Sequence, residues 1–260
     1  MTDKEDIILR FDSVTKVFGS RAVLDGMTFS IRRGETFVIV GPSGTGKSVT
    51  LKHMVRLLTP DDGSIYVDDT CINESSGRDL SALRERFGYL FQGGALLAWL
   101  SVGENIALPL REKTKLGEDE IQAKVRRVLS MVEMSDAYDK HPSDISGGMC
   151  KRAGLARAIV TEPDIILYDE PTSGLDPVTS RTIDALIENL RKELGVTSVV
   201  VTHDLHSALS IGSRIAMIHS GKVVELSTPE EFIKSKNEEV QKFLMSQYIT
   251  QRGSWERKSK

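Results

Sequence analysis

Gly41-Pro42-Ser43-Gly44-Thr45-Gly46-Lys47-Ser48 is a run whose residue types suit a phosphate group. Glycines let backbone N–H groups converge on anionic oxygens with no Cβ in the way, and a helix N-terminus adds a favourable dipole. The spacing Gly41-x-x-x-x-Gly46-Lys47-Ser48 is that of the P-loop. Lys47 would carry positive charge to the β- and γ-phosphates of ATP, and the Ser48 hydroxyl would ligate Mg²⁺. Val49 completes the cofactor-binding set. A second chemical group follows an apolar run, Ile165-Ile166-Leu167-Tyr168-Asp169-Glu170. Side chains alternate along an extended segment, so the two carboxylates can take different tasks. Asp169 would hold the Mg²⁺ ion through water, and Glu170 would polarise the attacking water as general base.

The elements around these residues have the order that such a site needs. Ile7 to Phe11, Val14 to Phe18 and Met27 to Ile31 read as short strands, punctuated by Gly19 and Arg33-Gly34. Thr36 to Val40 is a continuous apolar run, as in a strand buried on both faces, and it leads into the glycine loop. A helix follows, marked by Val49, Leu51, Val55 and Leu58. The alternation returns with a strand at Ile165 to Tyr168 and a helix through Ile183, Leu186, Ile187, Leu190 and Leu194. Further strands are expected at Ser198 to Thr202 and Ile215 to Ile218. Strands alternating with helices predict an α/β fold with a covered parallel sheet. Residues 95–160 break the alternation and read as helical throughout, a subdomain inserted into the core. Thr228-Pro229-Glu230-Glu231 combines an N-cap, proline at N1 and a capping-box glutamate, so a last helical region starts there.

Four further groups join the Asp169-Glu170 pair in a recognisable order: Gln92, Ile145-Ser146-Gly147-Gly148-Met149, Asp169-Glu170, Ser173-Gly174-Leu175-Asp176 and His203. This order resembles the ABC transporter ATPase subunit, from about Ile7 to Leu226. The resemblance implies a P-loop core of ABC type with an N-terminal antiparallel β subdomain and an inserted helical subdomain. It implies one domain over 7–245, with core segments 7–94 and 161–227, a helical subdomain at about 95–160, a C-terminal helical extension at about 228–249, and a frayed polar tail at 250–260. It also implies two chains sandwiching two ATP molecules head to tail. In that arrangement Ser146, Gly147 and Gly148 form a second anion site for the γ-phosphate bound to the other copy. Gln92 would sense Mg²⁺, His203 would contact the γ-phosphate, and Asp176 would act across the dimer. Phe18 stands where the family keeps an aromatic residue, usually tyrosine, against adenine; the alternative is a strand-end core residue. His53, His141, His206 and His219 carry no expected chemistry.

The chain departs from the family's Leu-Ser-Gly-Gly-Gln signature at both ends. Ile145 for leucine conserves volume, whereas Met149 cannot hydrogen-bond as glutamine does. Ser-Gly-Gly-Met followed by Lys151-Arg152-Ala153 and Leu155-Ala156-Arg157-Ala158 resembles the ATPases of Mla/Mce lipid-trafficking systems. Gly46 to Lys52, Phe91 to Leu97 and Ser101 to Asn105 are similar to that subfamily too. That resemblance implies two multi-pass permease subunits, an Mce-domain lipid-binding protein and, in some members, a STAS-domain subunit. An ABC ATPase of another importer or exporter, or of a cell-division-type membrane signalling complex, would share the same motifs. Trp99 and Leu100 next to the Gln92 loop suit a permease interface if exposed, and subdomain core if buried. The helix through Phe232, Ile233, Val240, Phe243 and Leu244 packs either on its own core or on the other copy.

Bulk properties bound the partners. A net charge of -3 lacks the basic excess of a nucleic-acid binder, so no nucleic acid is expected. Cys71 and Cys150 fit neither a disulfide framework nor a zinc site. No apolar run reaches the roughly 20 residues needed to cross a bilayer, and the first residues lack a signal-peptide pattern. The expected place is the cytoplasmic side of the inner membrane, through the permease.

Overall fold

The computed structural model describes residues 6–247, which fall into two compact units. One holds the chain up to Ser75 together with the chain from Val201 onward, and the other holds Ser76–Val200. The expected tail at 250–260 and the last residues of the 228–249 extension lie outside the described residues. The division also differs from the expected one. The strands and helix between 161 and 200 belong to the same unit as the helical stretch at 95–160.

The first unit opens with β1 (Ile7–Phe18) and β2 (Arg21–Arg32), paired antiparallel. The two strands expected at 7–11 and 14–18 are one, because the polar pair Asp12-Ser13 is a bulge and not a break. Ser13 takes φ 53°, and its N–H donates to Thr28 Oγ1 at 2.9 Å, so the interrupted ladder loses no backbone partner there. After β3 (Thr36–Val40) and α1 (Lys47–Met54) come β4 (Asp62–Val67) and the short β5 (Thr70–Cys71). The four-stranded antiparallel sheet runs β2-β1-β4-β5. Register opposes Phe11 to Phe29 and to Ile65, and the Phe11 and Phe29 rings stack at 4.5 Å with Phe29 on Phe37 at 5.4 Å. Each fully buried side chain of this kind contributes about 1.5–3 kcal/mol. Every residue of β3 is buried, as its unbroken apolar run predicts. Helix α1 is shorter than expected: Leu58 lies beyond its end.

The second unit contains α2 (Gly77–Glu85), β6 (Phe87–Leu90), α3 (Val102–Lys113), α4 (Glu118–Met131), α5 (Gly147–Ile159), β7 (Ile165–Asp169) and α6 (Pro177–Leu194). Strands β6 and β7 are parallel, with Tyr89 opposite Leu167, and β8 (Thr197–Thr202) lies next to β7 and continues into the first unit. The stretch 95–160 is not helical throughout. Residues 95–101 form a loop, and two single 3-10 turns at Ser135–Ala137 and Pro142–Asp144 separate α4 from α5. Polar, turn-forming residues at 133–146 extend neither helix, and the carbonyls of Tyr138 and Lys140 accept from the Gly103 and Val102 N–H groups, both at 2.8 Å.

The first unit resumes with α7 (Leu205–Ile211), β9 (Arg214–His219), β10 (Lys222–Ser227), α8 (Pro229–Ile233) and α9 (Glu238–Ser246). Strand β9 is parallel to β3, while β10 returns antiparallel to β9. The capping box at Thr228 forms as expected, with Thr228 Oγ1 accepting from the Glu231 N–H. Phe232, Val240, Phe243 and Leu244 are buried within this chain, where α8 and α9 pack on β10. The fold is α/β, with the expected N-terminal antiparallel sheet and helical insertion.

Candidate active site

In the first unit, the end of β3 delivers Gly41 and the start of α1 receives Lys47, so the loop between them is clamped at both ends. Two glycines are required by space as well as conformation. Gly46 is the α1 N-cap at φ 102°, and a Cβ there would lie 2.8 Å from the Val23 carbonyl oxygen. At Gly41, φ 152°, a Cβ would lie 2.4 Å from the Ile218 carbonyl oxygen. Lys47 is buried, and its Nζ donates to the carbonyls of Gly41 at 2.9 Å and Pro42 at 3.1 Å. Thr45 Oγ1 also donates to Pro42, at 2.8 Å, and Arg21 donates to the Gly44 carbonyl at 3.0 Å. The loop is thus held in a tight curl, and Pro42, Ser43 and Gly44 are exposed at its tip. Ser48 and Val49 follow in the first turn of α1, whose unsatisfied N–H groups and dipole favour an anion.

Phe18 lies at the end of β1 and is 46% exposed, so it is not a core residue, and the Lys16 ammonium sits 5.6 Å from its ring centroid. His203 follows β8. Its carbonyl accepts from Gln247 Nε2 at 2.8 Å, and Gln247 Oε1 in turn accepts from the Leu205 N–H at 3.1 Å.

In the second unit, β7 ends on Asp169 and Glu170 follows it, both buried. Tyr89 on β6 donates its hydroxyl to Asp169 Oδ2 at 3.4 Å and stacks on Phe91. Burial first, and the Asp169 charge and hydrogen bond next, push the Tyr89 phenol well above its ordinary value, so it stays a donor. Glu170 takes φ 50°, and its carbonyl accepts from Lys151 Nζ at 2.9 Å and from the Ser173 N–H at 3.2 Å. Gln92 is exposed just after β6, with Nε2 3.4 Å from Ser173 Oγ. The loop after Gln92 is fastened to α5: Arg157 donates to the Gly94 carbonyl at 2.9 Å and the Ala95 carbonyl at 2.8 Å.

Helix α5 starts at Gly147, with Ser146 as its N-cap. Ser146 Oγ accepts from the Met149 N–H at 3.3 Å, while the amides of Gly147 and Gly148 belong to the turn that a helix leaves unsatisfied. Ser146 and Gly147 are exposed; Gly148 is buried, and a Cβ on it would meet Thr179 Cγ2 at 2.7 Å. Asp176 caps α6, accepting from the N–H groups of Val178 and Thr179, both at 3.0 Å. The Thr179 hydroxyl first, then these amides, hold its carboxyl below the usual range.

The expected residues therefore fall into two sets. Phe18, Gly41 to Val49 and His203 belong to one unit, and Gln92, Ser146 to Gly148, Asp169, Glu170 and Asp176 to the other. Tyr89 is not singled out in the sequence, and Lys151, Arg157 and Ser173 stand there only as motif residues without a role, because each acts on a partner remote along the chain or through a backbone carbonyl. Among the described residues, no group of three or more His, Cys, Asp or Glu could hold a metal alone. Magnesium bound together with phosphates needs only one or two protein oxygens, and Ser48 and Asp169 are oxygen donors of that kind.

Comparison with known proteins agrees with this inventory. Residues 24–173 match the family model described as ABC transporter. The chain is 41% identical over 252 residues to the probable ribonucleotide transport ATP-binding protein mkl of Mycobacterium tuberculosis, covering 97% of this chain and 70% of that protein. It is 38% identical over 237 residues to the intermembrane phospholipid transport system ATP-binding protein MlaF of Haemophilus influenzae, covering 91% of this chain and 90% of that one. The dimeric structure of the ATP-binding cassette MJ0796 bound to ADP and Pi superposes with a TM-score of 0.79 at 33% identity, covering 85% of this chain and 98% of that one. The P-loop, the Ser146 signature and the Asp169-Glu170 pair all lie inside the matched segment, and the chain belongs to the ABC transporter family as one of its ATP-binding, ATP-hydrolysing cassettes.

Proposed function

We propose that this chain drives lipid transport, with phospholipid as cargo class, by coupling ATP hydrolysis to a partner permease. Two copies would close head to tail on two nucleotides. Lys47 would neutralise phosphate charge, the Ser146 helix end would receive the γ-phosphate of the other copy, and Glu170 would take the proton of the attacking water. Mg²⁺ would arrive with ATP and offset phosphate charge. Gln92 and His203 would respond to the ion and the γ-phosphate, Phe18 would lie against adenine, and Asp176 would act near the copy-to-copy boundary.

The observation that carries the cargo reading is the match to a phospholipid transport cassette over nine-tenths of its length, and the segments at 46–52, 91–97 and 101–105 resemble that subfamily. The last two have a physical rationale. Asn105, fully buried, donates to the carbonyls of Leu97 at 3.0 Å, Leu100 at 3.1 Å and Ser101 at 2.9 Å, and accepts from the Leu97 N–H at 2.7 Å. This staple presents Trp99, 74% exposed, beside the Gln92 loop. A large aromatic held outward on a braced loop suits a protein interface, and a permease segment is the partner we assign to it. No helix among the described residues is long and apolar enough to cross a membrane.

Affinity purification of the full chain from its native membrane tests the reading. A multi-pass permease with an Mce-domain protein, with or without a STAS-domain subunit, is the expected set. A permease with a solute-binding partner for nucleosides or another polar cargo, or a cell-division membrane complex, would overturn the lipid assignment and leave the ATPase intact.

A further inference from the structure

Lys151 is on α5, in the turn after the Ser146 cap, and the nucleotide chemistry outlined above gives it no task. Its side chain is buried, and its Nζ donates at 2.9 Å to the backbone carbonyl of Glu170, a residue 19 positions later. Burying an ammonium is costly. Here burial lowers the Lys151 pKa, with the charges of Glu170 and Asp169 pulling the other way. The carbonyl it holds belongs to a residue in an unusual state. Glu170 has φ 50°, a left-handed conformation that side chains other than glycine rarely adopt, and such strain persists only where neighbours over-determine it. Fixing that carbonyl fixes the peptide plane after Glu170, and with it the direction in which the carboxylate leaves the strand. The second restraint on the same oxygen, the Ser173 N–H at 3.2 Å, comes from the adjoining turn and ties nothing distant. Lys151 alone of the two links the end of β7 to the helix that begins at the signature.

We propose that Lys151 is a positioning residue for the Glu170 carboxylate, locking the end of β7 to the signature helix. The proposal rests on the reading of Glu170 as general base. It requires Lys151 to govern the rate of hydrolysis and to leave nucleotide affinity alone. Displacing a catalytic group by about an ångström can cost on the order of a hundredfold in rate.

The test measures steady-state ATP hydrolysis of the full chain, with fluorescent-nucleotide binding and thermal midpoint recorded on each variant. Lys151→Met keeps the length and removes the donor along with the buried charge. It is expected to lower kcat about ten- to a hundredfold with KM for MgATP within about twofold and no fall in thermal midpoint. Lys151→Gln keeps a donor and should hold kcat within about threefold of wild type. Glu170→Gln should lower kcat at least about a hundredfold while retaining ATP binding, and adding Lys151→Met to it should change nothing further. Wild-type kcat in Lys151→Met would overturn the proposal. So would equal losses in the Met and Gln variants, or a loss that follows a lower thermal midpoint, a failure to fold or weaker ATP binding. Wild-type hydrolysis by Glu170→Gln would instead remove the base assignment itself, whatever the Lys151 variants do.

Discussion

His53 lies in α1, six residues after Lys47, fully buried, with Nδ1 2.7 Å from the Val49 carbonyl. That contact requires a proton on Nδ1, which the neutral tautomer and the imidazolium both carry, so it is burial and not this bond that favours the neutral ring. Burial is the main force holding its pKa below 6.5; the Lys16 charge adds to it, and the Val49 and Thr59 carbonyls and Asp61 oppose it. In the unfolded chain the imidazole takes up its proton first as pH falls. The histidine's contribution is therefore complete above pH 6.5 and is lost progressively below it. Between about pH 7 and 5.5 the urea midpoint should fall, and His53→Gln should flatten that slope. An equal slope in the variant would assign the effect to other groups.

At the scale of elements, the loop before α3 depends on Asn105 more than on any apolar contact. Ser101 caps α3 with a reciprocal box to Glu104, and Asn105 fastens the loop back to the first turn. Asn105→Ala would strand the Leu100 carbonyl and the Leu97 N–H, while the Leu97 and Ser101 carbonyls keep the N–H groups of Leu100 and Asn105, costing about 2–4 kcal/mol of unfolding free energy in a urea titration. Trp99 fluorescence should change with it, because its loop loses the staple; a shift below about 0.5 kcal/mol would show that water replaces the amide. Legibility follows the same physics. The buried strands β3 and β7, helix α6 and the Thr228 box were readable, because each carries its own pattern of apolar run, 3.6 spacing or cap. Strand β10 was not, since its half-exposed Lys222 to Ser227 alternate weakly; the Ser220-Gly221 pair, both at positive φ, was the turn signal that marks its hairpin. The β4–β5 hairpin turns at Asp68, φ 49°, with no glycine to announce it. At the site, consecutive motifs such as 41–48 were legible, but Lys151 and Tyr89 were not, because sequence does not state which distant atom a side chain will meet.

For the whole molecule, the division of the expected residues between two sets leads to a test that needs no partner protein. In a head-to-tail pair related by two-fold symmetry, the phosphate loop of one copy meets the signature of the other. A chain with Lys47→Ala loses its phosphate charge, and a homodimer of it has two defective sites. Ser146→Asp keeps a good N-cap for α5 while placing a negative charge where a phosphate would arrive, so its homodimer is defective at both sites too. In a mixed dimer the two lesions fall in the same site. The other site then combines an intact loop from the Ser146→Asp chain with an intact signature from the Lys47→Ala chain. Random association makes about half of the dimers mixed, each with one sound site, so mixing equal amounts should restore about a quarter of the wild-type rate. If one chain's own loop and signature formed the site, every chain in the mixture would be defective and no activity would return. A dilution series adds a second arm. Hydrolysis per chain should rise with chain concentration while nucleotide binding per chain stays constant, because the phosphate loop holds ATP within one copy and only the pair completes the chemistry.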